Sequence, residues 1–383
     1  MRVALVSDWT APRVGGVERQ ISDLAVQLRQ RGHDVRVITF TPGPPQVDRI
    51  PFHRLRSRVP PGWRALQRGL ERIGYELGDP MPPIVEREIE GILVRERVEL
   101  VHGHSFWSSL AHVTIRLGAR HGTAGVLTSH SLLDRAGIVF LRAADEAFRW
   151  SRDPAVLTAV SAAAVHDARL ASRRSDVRLI PNGLDTTAWE IGRAAPHDRR
   201  RDGRPRLVSV MRLNARKSPA RLLRALARVR ADLDGSAPRL DVFGDGVLRG
   251  ALERQAAELG IADLVVFHGA RDANEIARGL ADADLFAMPG RREAFGIALA
   301  EALASGVPVV AMSGSGVGDV VDDGVAGLLA RDDGELASCI ARLVTDDALR
   351  TRMAARAPSQ AARFDWGTVA PLYLEAYRDA LAR

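Results

Sequence analysis

Two glutamates in the segment Leu285–Val310 have the spacing of a pair that binds one extended ligand. Glu293 follows an apolar run that ends at Pro289-Gly290, and Glu301 lies eight positions further on. If the span were helical throughout, it would cover about 12 Å at 1.5 Å per residue. That is roughly the length from the sugar to the ribose of a nucleotide sugar. The spacing therefore predicts that Glu293 binds sugar hydroxyls and that Glu301 accepts hydrogen bonds from a ribose diol.

The residues after Glu293 extend this predicted site. The backbone N–H groups of Ala294, Phe295 and Gly296 would open a helix and face the sugar and diphosphate, helped by the helix dipole. In the alternative interpretation, Glu293 caps the helix N-terminus and Glu301 is a solvated surface residue.

A second pattern places two cations after an apolar run. The run Leu207–Met211 leads directly into Arg212, and Lys217 follows five residues later. Lys217 is the only lysine in the chain, although arginine is abundant. Fixed cations stabilise the negative charge that develops on a departing nucleoside diphosphate. Basic loops are also common as plain solvated surface, and that alternative stays open at this point.

Two weaker signals lie in the first half of the chain. Gly15 and Gly16 follow the first predicted strand and permit close approach of a phosphate to the backbone. His130 comes directly after the predicted strand Gly125–Ser129. Taken by itself, a histidine at this position is typically a buried residue with satisfied hydrogen bonds. His102 and His104 also end a strand, but no third ligand of suitable spacing accompanies them, so a zinc site is not expected.

Together these motifs resemble glycosyltransferase family four. Glu293 and Glu301 look like the E-x7-E element of that family, and Arg212 and Lys217 look like its basic loop, with Met211 where the family has glycine. The segment Ile180-Pro-Asn-Gly-Leu-Asp185 resembles a family turn. The resemblance implies a GT-B fold and a retaining, metal-independent enzyme without a cofactor. It further implies that Gly15 and Gly16 lie next to the donor diphosphate and that His130 contacts the donor sugar.

Two motifs that suggest other chemistry are interpreted as structural. Asp282-Ala-Asp284 has the D-x-D spacing of metal-dependent glycosyltransferases, but it lies where a helix runs into a strand. Gly314-Ser-Gly-Val-Gly318 suggests a dinucleotide-binding loop, yet it lies among the later predicted strands of the second domain and does not follow the first strand of the chain. It resembles a glycine turn of the same family, with Asp319 in place of glutamate.

Alternating strand and helix patterns predict two Rossmann-like α/β domains that face across a cleft. We expect an acceptor-side domain at residues 1–190, a linker at 191–205 and a donor domain at 206–365. The family resemblance adds a last helix, about residues 366–383, that crosses back to the first domain. Strands are predicted at Arg2–Val6, Val35–Phe40, Leu100–His104, Gly125–Ser129, Val156–Val160, Val177–Ile180, Leu207–Met211, Leu240–Phe243, Leu264–Phe267, Leu285–Met288 and Val307–Ala311.

Composition narrows the functional class. Apolar residues make up 46% and charged residues 26%, as in ordinary soluble proteins, and no stretch reaches the length of a membrane-spanning helix. A single cysteine suits a reducing cytoplasm. The net charge of +7 suits phosphate-bearing ligands or an anionic membrane. Nucleic acid is not an expected partner, because aromatics are only 5% and no binding motif occurs.

One basic segment, residues 49–73, is a candidate contact with the inner face of the membrane. Trp63, Leu66, Leu70 and Ile73 recur at helical spacing beside basic residues, which predicts an amphipathic interfacial helix. An equally good alternative is that this stripe packs on the first domain. The segment has one acidic residue, Glu71, and seven arginines: Arg49, Arg54, Arg56, Arg58, Arg64, Arg68 and Arg72.

The expected reaction is hexose transfer from GDP-mannose or a UDP-hexose to an acceptor hydroxyl, with a lipid or a polyol as candidate acceptors. Two other classes remain open: a sugar-nucleotide epimerase or hydrolase of related fold, and a catalytically silent sugar-nucleotide binding protein. The donor base, the sugar, the acceptor and the oligomeric state cannot be predicted from the sequence.

Overall fold

A computed structural model describes residues 1–13, 15–56, 59, 62–72, 79, 81–192, 204–233 and 237–383. The chain forms two compact units. The first contains Met1–Glu71, Tyr75–Gly183 and Trp366–Arg383, and the second contains Leu184–Asp365. Each unit is built on its own β-sheet.

The first unit is an eight-stranded sheet in the order β3-β4-β2-β1-β5-β6-β7-β8, parallel except for the antiparallel edge pair β3–β4. Its strands are β1 (Arg2–Val6), β2 (Asp34–Thr39), β3 (Gln46–Val47), β4 (Ile50–Arg54), β5 (Leu100–His104), β6 (Ala124–Ser129), β7 (Ala155–Ala159) and β8 (Arg178–Leu179). The helices of this part of the chain are α1 (Gly16–Gln30), α2 (Trp63–Arg72), α3 (Pro83–Arg95), α4 (Ser109–Ala119), α5 (Arg135–Phe148) and α6 (Ala162–Ser172).

Helix α1 illustrates how the sequence sets a boundary. Its buried face carries Ile21, Leu24 and Leu28 at helical spacing. The helix ends at Gln30, and Gly32 follows with a φ of 81°, in the left-handed region that favours glycine. The N–H groups of Gly32 and His33 donate to the last carbonyls of the helix at 2.9 and 3.0 Å, which closes it and returns the chain to β2.

The second unit is a six-stranded parallel sheet in the order β11-β10-β9-β12-β13-β14. Its strands are β9 (Arg206–Val210), β10 (Arg239–Phe243), β11 (Val265–Gly269), β12 (Leu285–Met288), β13 (Val309–Met312) and β14 (Gly327–Ala330). Its helices are α7 (Pro219–Asp232), α8 (Arg249–Glu258), α9 (Ala273–Ala281), α10 (Ile297–Ala304), α11 (Asp333–Thr345) and α12 (Asp347–Ala361). Counted from β9, the strand order is 3-2-1-4-5-6, the order of the dinucleotide-binding Rossmann fold.

The last helix, α13 (Trp366–Leu381), belongs to the first unit. Trp366, Tyr373 and Tyr377 pack into the same apolar core as the β1 residues Val3 and Leu5. The two tyrosines are fully buried. The first unit therefore takes part of its core from the end of the chain.

The predicted fold class, two Rossmann-like domains with a returning C-terminal helix, is confirmed. Three short strands were not predicted: β3, β4 and β14. Of the predicted linker, residues 193–203 lie outside the described residues. Across the part of the chain that is described, no helix is both long and apolar enough to cross a bilayer.

The basic segment 49–73 is not one uniform helix. Its first part is strand β4, and helix α2 covers Trp63–Arg72. Arg54 turns inward, where it donates to the carbonyl groups of Ala11 and Thr41 at 3.1 and 2.6 Å. These hydrogen bonds hold the Arg54 guanidinium against the loops after β1 and β2. Arg58 and Ile73, and the side chains of Arg64, Arg68, Leu70, Glu71 and Arg72, lie outside the described residues.

Candidate functional site

The second sheet reverses its strand order between β9 and β12, and ligands of open α/β sheets bind at such a switch point, beyond the carboxyl ends of the strands. The loop after β9 carries Arg212 and Lys217. The loop after β12 carries Glu293. Because β9 and β12 are paired neighbours, both loops emerge at the switch point.

Lys217 and Glu293 form a direct ion pair at this edge. The Lys217 Nζ donates to Glu293 Oε1 at 2.7 Å and to Oε2 at 2.8 Å. The Glu293 side chain is 6% exposed and that of Lys217 is 31% exposed, so the carboxylate is enclosed and the ammonium still reaches solvent. An ammonium has three N–H donors, and the carboxylate uses two of them. One donor of Lys217 is therefore available to an anionic ligand while the pair stays intact.

Local contacts hold both members of the pair. Lys217 ends a 3-10 turn, and its N–H donates to the Asn214 side chain at 3.2 Å. The Glu293 N–H donates to Ser315 Oγ at 3.2 Å, and the Gly316 N–H donates to the Glu293 carbonyl at 2.9 Å. These hydrogen bonds attach the Glu293 loop to the turn that follows β13.

Arg212 lies on a loop whose backbone is closely packed. The N–H groups of Met211 and Leu213 on either side donate to the Phe243 and Asp245 carbonyls at 3.0 and 2.9 Å. A Cβ on Gly244, whose φ is 126°, would lie 1.9 Å from the Met211 carbonyl oxygen. Only glycine fits there, so the Arg212 loop rests directly on the turn after β10. The Arg212 side chain is exposed.

The Glu293–Glu301 span is not helical throughout, so the distance of about 12 Å estimated from helical rise does not apply. Helix α10 starts only at Ile297, after Gly296 at φ 84°. Gly296 is the N-cap and Glu293 makes no cap hydrogen bond, so the capping alternative is wrong. Glu301 is 5% exposed, so the solvated-surface alternative is wrong too.

The backbone N–H groups of Ala294, Phe295 and Gly296 lie in the Glu293 loop, just before helix α10. They donate no hydrogen bond to another residue within the described ranges. They precede an eight-residue helix whose first amides also lack intrahelical acceptors. The loop can therefore donate several hydrogen bonds to an oxygen-rich ligand.

The Asp282-Ala-Asp284 motif lies at the amino end of β12, the opposite end of this strand from Glu293. Asp282 caps the end of α9 and accepts from the Arg206 guanidinium at 3.1 Å. Asp284 accepts from the Arg206 N–H at 2.9 Å. Both carboxylates thus have structural partners. In the described ranges, no group of three or more histidine, cysteine, aspartate or glutamate side chains is arranged to hold a metal ion.

In the first unit, His130 follows β6 and is buried with His104, the last residue of the neighbouring strand β5. Their rings are joined by a hydrogen bond of 2.9 Å between His104 Nδ1 and His130 Nε2. Burial lowers the pKa of His130 to about 4, against the opposing influence of the Asn182 side chain. His130 is therefore neutral at pH 7, as a hydrogen-bonding group for a hydroxyl should be.

Gly15 and Gly16 lie where α1 begins. Gly15 is the N-cap and has no side chain to satisfy the first amides of the helix. Those amides need an acceptor from elsewhere, which is the arrangement that suits a phosphate. Val14, in the same glycine loop, lies outside the described residues.

Asp8 was not predicted as a site residue. It follows β1, is 4% exposed, and its Oδ1 accepts from the Asp79 N–H at 3.3 Å. Burial, with the nearby Asp79 as a lesser contribution, raises the pKa of Asp8 to about 7. The signal was present in the sequence, because an acidic residue directly after a buried parallel strand lies at the ligand-binding edge of the sheet.

Comparison with known proteins identifies the class and then the family. The sequence matches the family described as "Glycosyltransferase Family 4" over residues 14–188 and the family described as "Glycosyl transferases group 1" over residues 194–360. The protein is a glycosyltransferase. It belongs to glycosyltransferase family four and has the GT-B fold.

Named relatives span nearly the whole chain. The D-inositol 3-phosphate glycosyltransferase of Stackebrandtia nassauensis is 32% identical over 100% of this chain and 92% of that protein. The GDP-mannose-dependent alpha-mannosyltransferase of Mycolicibacterium smegmatis is 31% identical over 87% of this chain and 85% of that protein. The crystal structure of Anabaena Alr3699/HepE in complex with UDP-glucose superposes with a TM-score of 0.79 and 22% identity, covering 99% of this chain and 100% of that one, and shows the shared fold.

Proposed function

We propose that the protein transfers a hexose from a nucleoside-diphosphate sugar to an acceptor hydroxyl, with retention of configuration at the anomeric carbon. The observation that carries the donor half of this proposal is the Lys217–Glu293 pair at the switch point of the second sheet. An enclosed carboxylate that orients a partly exposed ammonium suits a diphosphate leaving group.

In the second unit, each residue has a proposed role. Arg212 and the third N–H of Lys217 bind the diphosphate, and Glu293 orients Lys217 and accepts from sugar hydroxyls with its remaining lone pairs. The N–H groups of Ala294, Phe295 and Gly296 donate to oxygens of the donor. Glu301, on α10, accepts from the ribose diol.

In the first unit, Gly15, Gly16 and His130 are assigned to the donor by family resemblance. The N-cap Gly15, which offers no side-chain acceptor to the start of α1, supports the assignment of the two glycines to the diphosphate. The neutral, buried state of His130 supports a hydrogen bond to a sugar hydroxyl rather than to a phosphate charge. His130→Ala tests this assignment: kcat/KM should fall while nucleoside-diphosphate binding persists.

The reaction balances without a metal ion or cofactor. The bond between the anomeric carbon and the phosphate oxygen breaks, and its electron pair leaves with the nucleoside diphosphate. The acceptor oxygen forms the new bond on the same face of the sugar. The acceptor proton passes to the departing phosphate oxygen, so no separate general base is required, and the cations stabilise the developing charge.

The names of the relatives suggest substrates to test. GDP-mannose and a UDP-hexose are both candidates, since one relative is named for GDP-mannose and a structure of the same fold contains UDP-glucose. Several relatives are named for D-inositol 3-phosphate, which supports a phosphorylated polyol as the first acceptor to test. A lipid acceptor remains the second candidate.

A thermal-shift panel of GDP, UDP, GDP-mannose and UDP-glucose tests donor binding. A ligand at 100 times its Kd stabilises the native state by about 2.7 kcal/mol. The donor's own nucleotide should raise Tm in the wild type and raise it less in Lys217→Met. Absence of any shift would contradict the proposal.

Product analysis with the stabilising donor then separates the three functional classes. A glycosylated polyol indicates transfer. Free sugar or an epimer indicates the related-fold enzyme, and unchanged donor with tight binding indicates a silent binding protein.

Membrane association through residues 49–73 is also proposed, with the cytoplasm as the compartment. Leu66 on α2 is 49% exposed, which supports an outward apolar face. Cosedimentation with anionic and neutral vesicles at two salt concentrations tests this. Salt-sensitive binding to anionic vesicles alone is the expected result, and no binding to either would favour a soluble acceptor.

A further inference from the structure

Three buried histidines form a continuous polar chain across the carboxyl ends of β5 and β6. His102 and His104 are two residues apart on β5 and so point to the same face of the sheet. Their ring centroids are 4.1 Å apart. His104 continues the chain through its hydrogen bond to His130.

His102, at the inner end of the chain, is held at both ring nitrogens. Its Nδ1 lies 2.8 Å from the hydroxyl of Tyr377, on helix α13. Its Nε2 lies 2.7 Å from Thr128 Oγ1, which is in turn 2.6 Å from Thr158 Oγ1. His102 therefore gives His104 a fixed surface to pack against.

The outer end of the chain has two unused ring nitrogens. His104 Nε2 and His130 Nδ1 are buried and make no hydrogen bond to any residue in the described ranges. A neutral imidazole carries one donor and one acceptor nitrogen. In the His104–His130 bond one ring must donate and the other accept, so the tautomer of one ring determines the tautomer of the other.

Asn182 indicates which arrangement holds. Its Oδ1 is buried and makes no hydrogen bond within the described residues, so it is an unpaired acceptor. Its side chain also raises the pKa of His130, the effect of an acceptor oxygen near a ring N–H. With Nε2 engaged by His104, that N–H is on Nδ1. His104 then donates from Nδ1 to His130 Nε2. The Nδ1–H of His130 lies near Asn182 but makes no hydrogen bond to it, so this N–H can donate to a ligand oxygen.

We propose that His104 is a positioning residue, which fixes the ring orientation and tautomer of His130 so that Nδ1–H of His130 donates to a hydroxyl oxygen of the substrate. This rests on the proposed function for the contact between His130 and substrate. The tautomer itself does not depend on that function and can be measured without turnover.

The first test is ¹⁵N NMR of the full-length protein labelled at histidine nitrogen. The shifts of His130, assigned by comparison with His130→Phe, should show a protonated Nδ1 and an unprotonated Nε2. The reverse tautomer would overturn the proposal. This measurement uses the wild-type protein and does not depend on the folding of a variant at position 104.

The second test uses two substitutions at His104. His104→Phe keeps the ring but removes the donor, whereas His104→Asn retains an N–H near the position of Nδ1. Loss of one orienting hydrogen bond should lower kcat by about three- to tenfold in the phenylalanine variant, with KM for the donor little changed. The asparagine variant should recover most of kcat.

A matched control separates positioning from packing. His112→Phe replaces another histidine of this unit, whose Nε2 pairs with the Phe106 carbonyl at 3.0 Å, and should leave the His130 shifts unchanged. If His104→Phe leaves both kcat and the His130 shifts at wild-type values, His104 is not a positioning residue. A second outcome is full activity in His130→Phe although wild-type His130 shows the expected tautomer. In that case the proposed function of His130 fails and the tautomer assignment stands.

Discussion

Substitution of Lys217 by methionine separates its effect on stability from its effect on catalysis. The change keeps the side-chain length and removes the ammonium, which leaves the Glu293 carboxylate enclosed and without its two charged hydrogen bonds. Breaking a fully buried ion pair costs about 3–5 kcal/mol, and an exposed pair contributes about 0–1 kcal/mol. Because Lys217 is 31% exposed and Glu293 only 6%, we expect a loss of about 2 kcal/mol.

That loss corresponds to a fall in Tm of about 4–8 °C for a unit of this size. Glu293→Gln alone should cost less, because the remaining ammonium can be hydrated. The double variant Lys217→Met/Glu293→Gln removes both charges and should return Tm close to the wild-type value. Thermal unfolding of all four proteins gives the coupling between the two residues.

Activity should follow a different pattern. Lys217→Met should lower kcat/KM by about 100-fold or more, the loss expected for a preorganised group that stabilises developing charge. The double variant should stay inactive although its stability is restored. Arg230→Met, which breaks an exposed pair with Asp263, should change neither quantity. Near wild-type kcat/KM in Lys217→Met, or activity that returns with stability in the double variant, would refute the role of Lys217.

Three further outcomes are expected. Activity should persist in excess EDTA, because in the proposed site Arg212 and Lys217 stabilise the leaving group, and a strict Mg²⁺ or Mn²⁺ requirement would contradict this. Burial raises the pKa of Asp8 to about 7 in the folded protein. Protonated Asp8 therefore contributes its full share to the free energy of unfolding below the pKa of the unfolded chain, and this contribution is lost as pH rises through about 7. Asp8→Asn should therefore raise Tm relative to wild type more at pH 8.5 than at pH 6, whereas the exposed-site control Asp48→Asn should not. Gly244→Ala would place a Cβ 1.9 Å from the Met211 carbonyl oxygen and should lower both Tm and donor affinity by displacing the Arg212 loop. Gly260→Ala, at φ 67° with no atom within 4 Å of its Cβ, incurs only backbone strain of about 1 kcal/mol and should leave donor affinity intact.

The alternation of apolar runs and amphipathic helices was sufficient to predict the fold class. Buried parallel strands are rich in apolar residues, and β1, β5 and β12 begin and end at the predicted residues. Strand β4 was missed because Pro51, His53 and Arg54 interrupt its apolar character near the sheet edge. Strand β14 was missed because its sequence, Gly-Leu-Leu-Ala, contains no β-branched or aromatic residue that would favour a strand.

The sequence predicted which residues form the candidate site, but not which of them contact each other. Lys217 and Glu293 are 76 positions apart, and their pairing depends on β9 lying beside β12, which neither local pattern specifies. The His104–His130 bond likewise depends on the register that places His104 opposite Thr128. Ser315 supports Glu293 from a turn that the sequence indicated only as glycine-rich.

Helix α13 also has a consequence for biosynthesis. Trp366, Tyr373 and Tyr377 fill the core of the first unit, yet they leave the ribosome after every residue of the second. The second unit can thus fold as soon as it emerges, while the first waits with an apolar groove open for the whole of that interval. Released nascent chains truncated before residue 366 should accordingly bind chaperones that recognise exposed apolar surface, and they should do so through the half of the protein that was synthesised first.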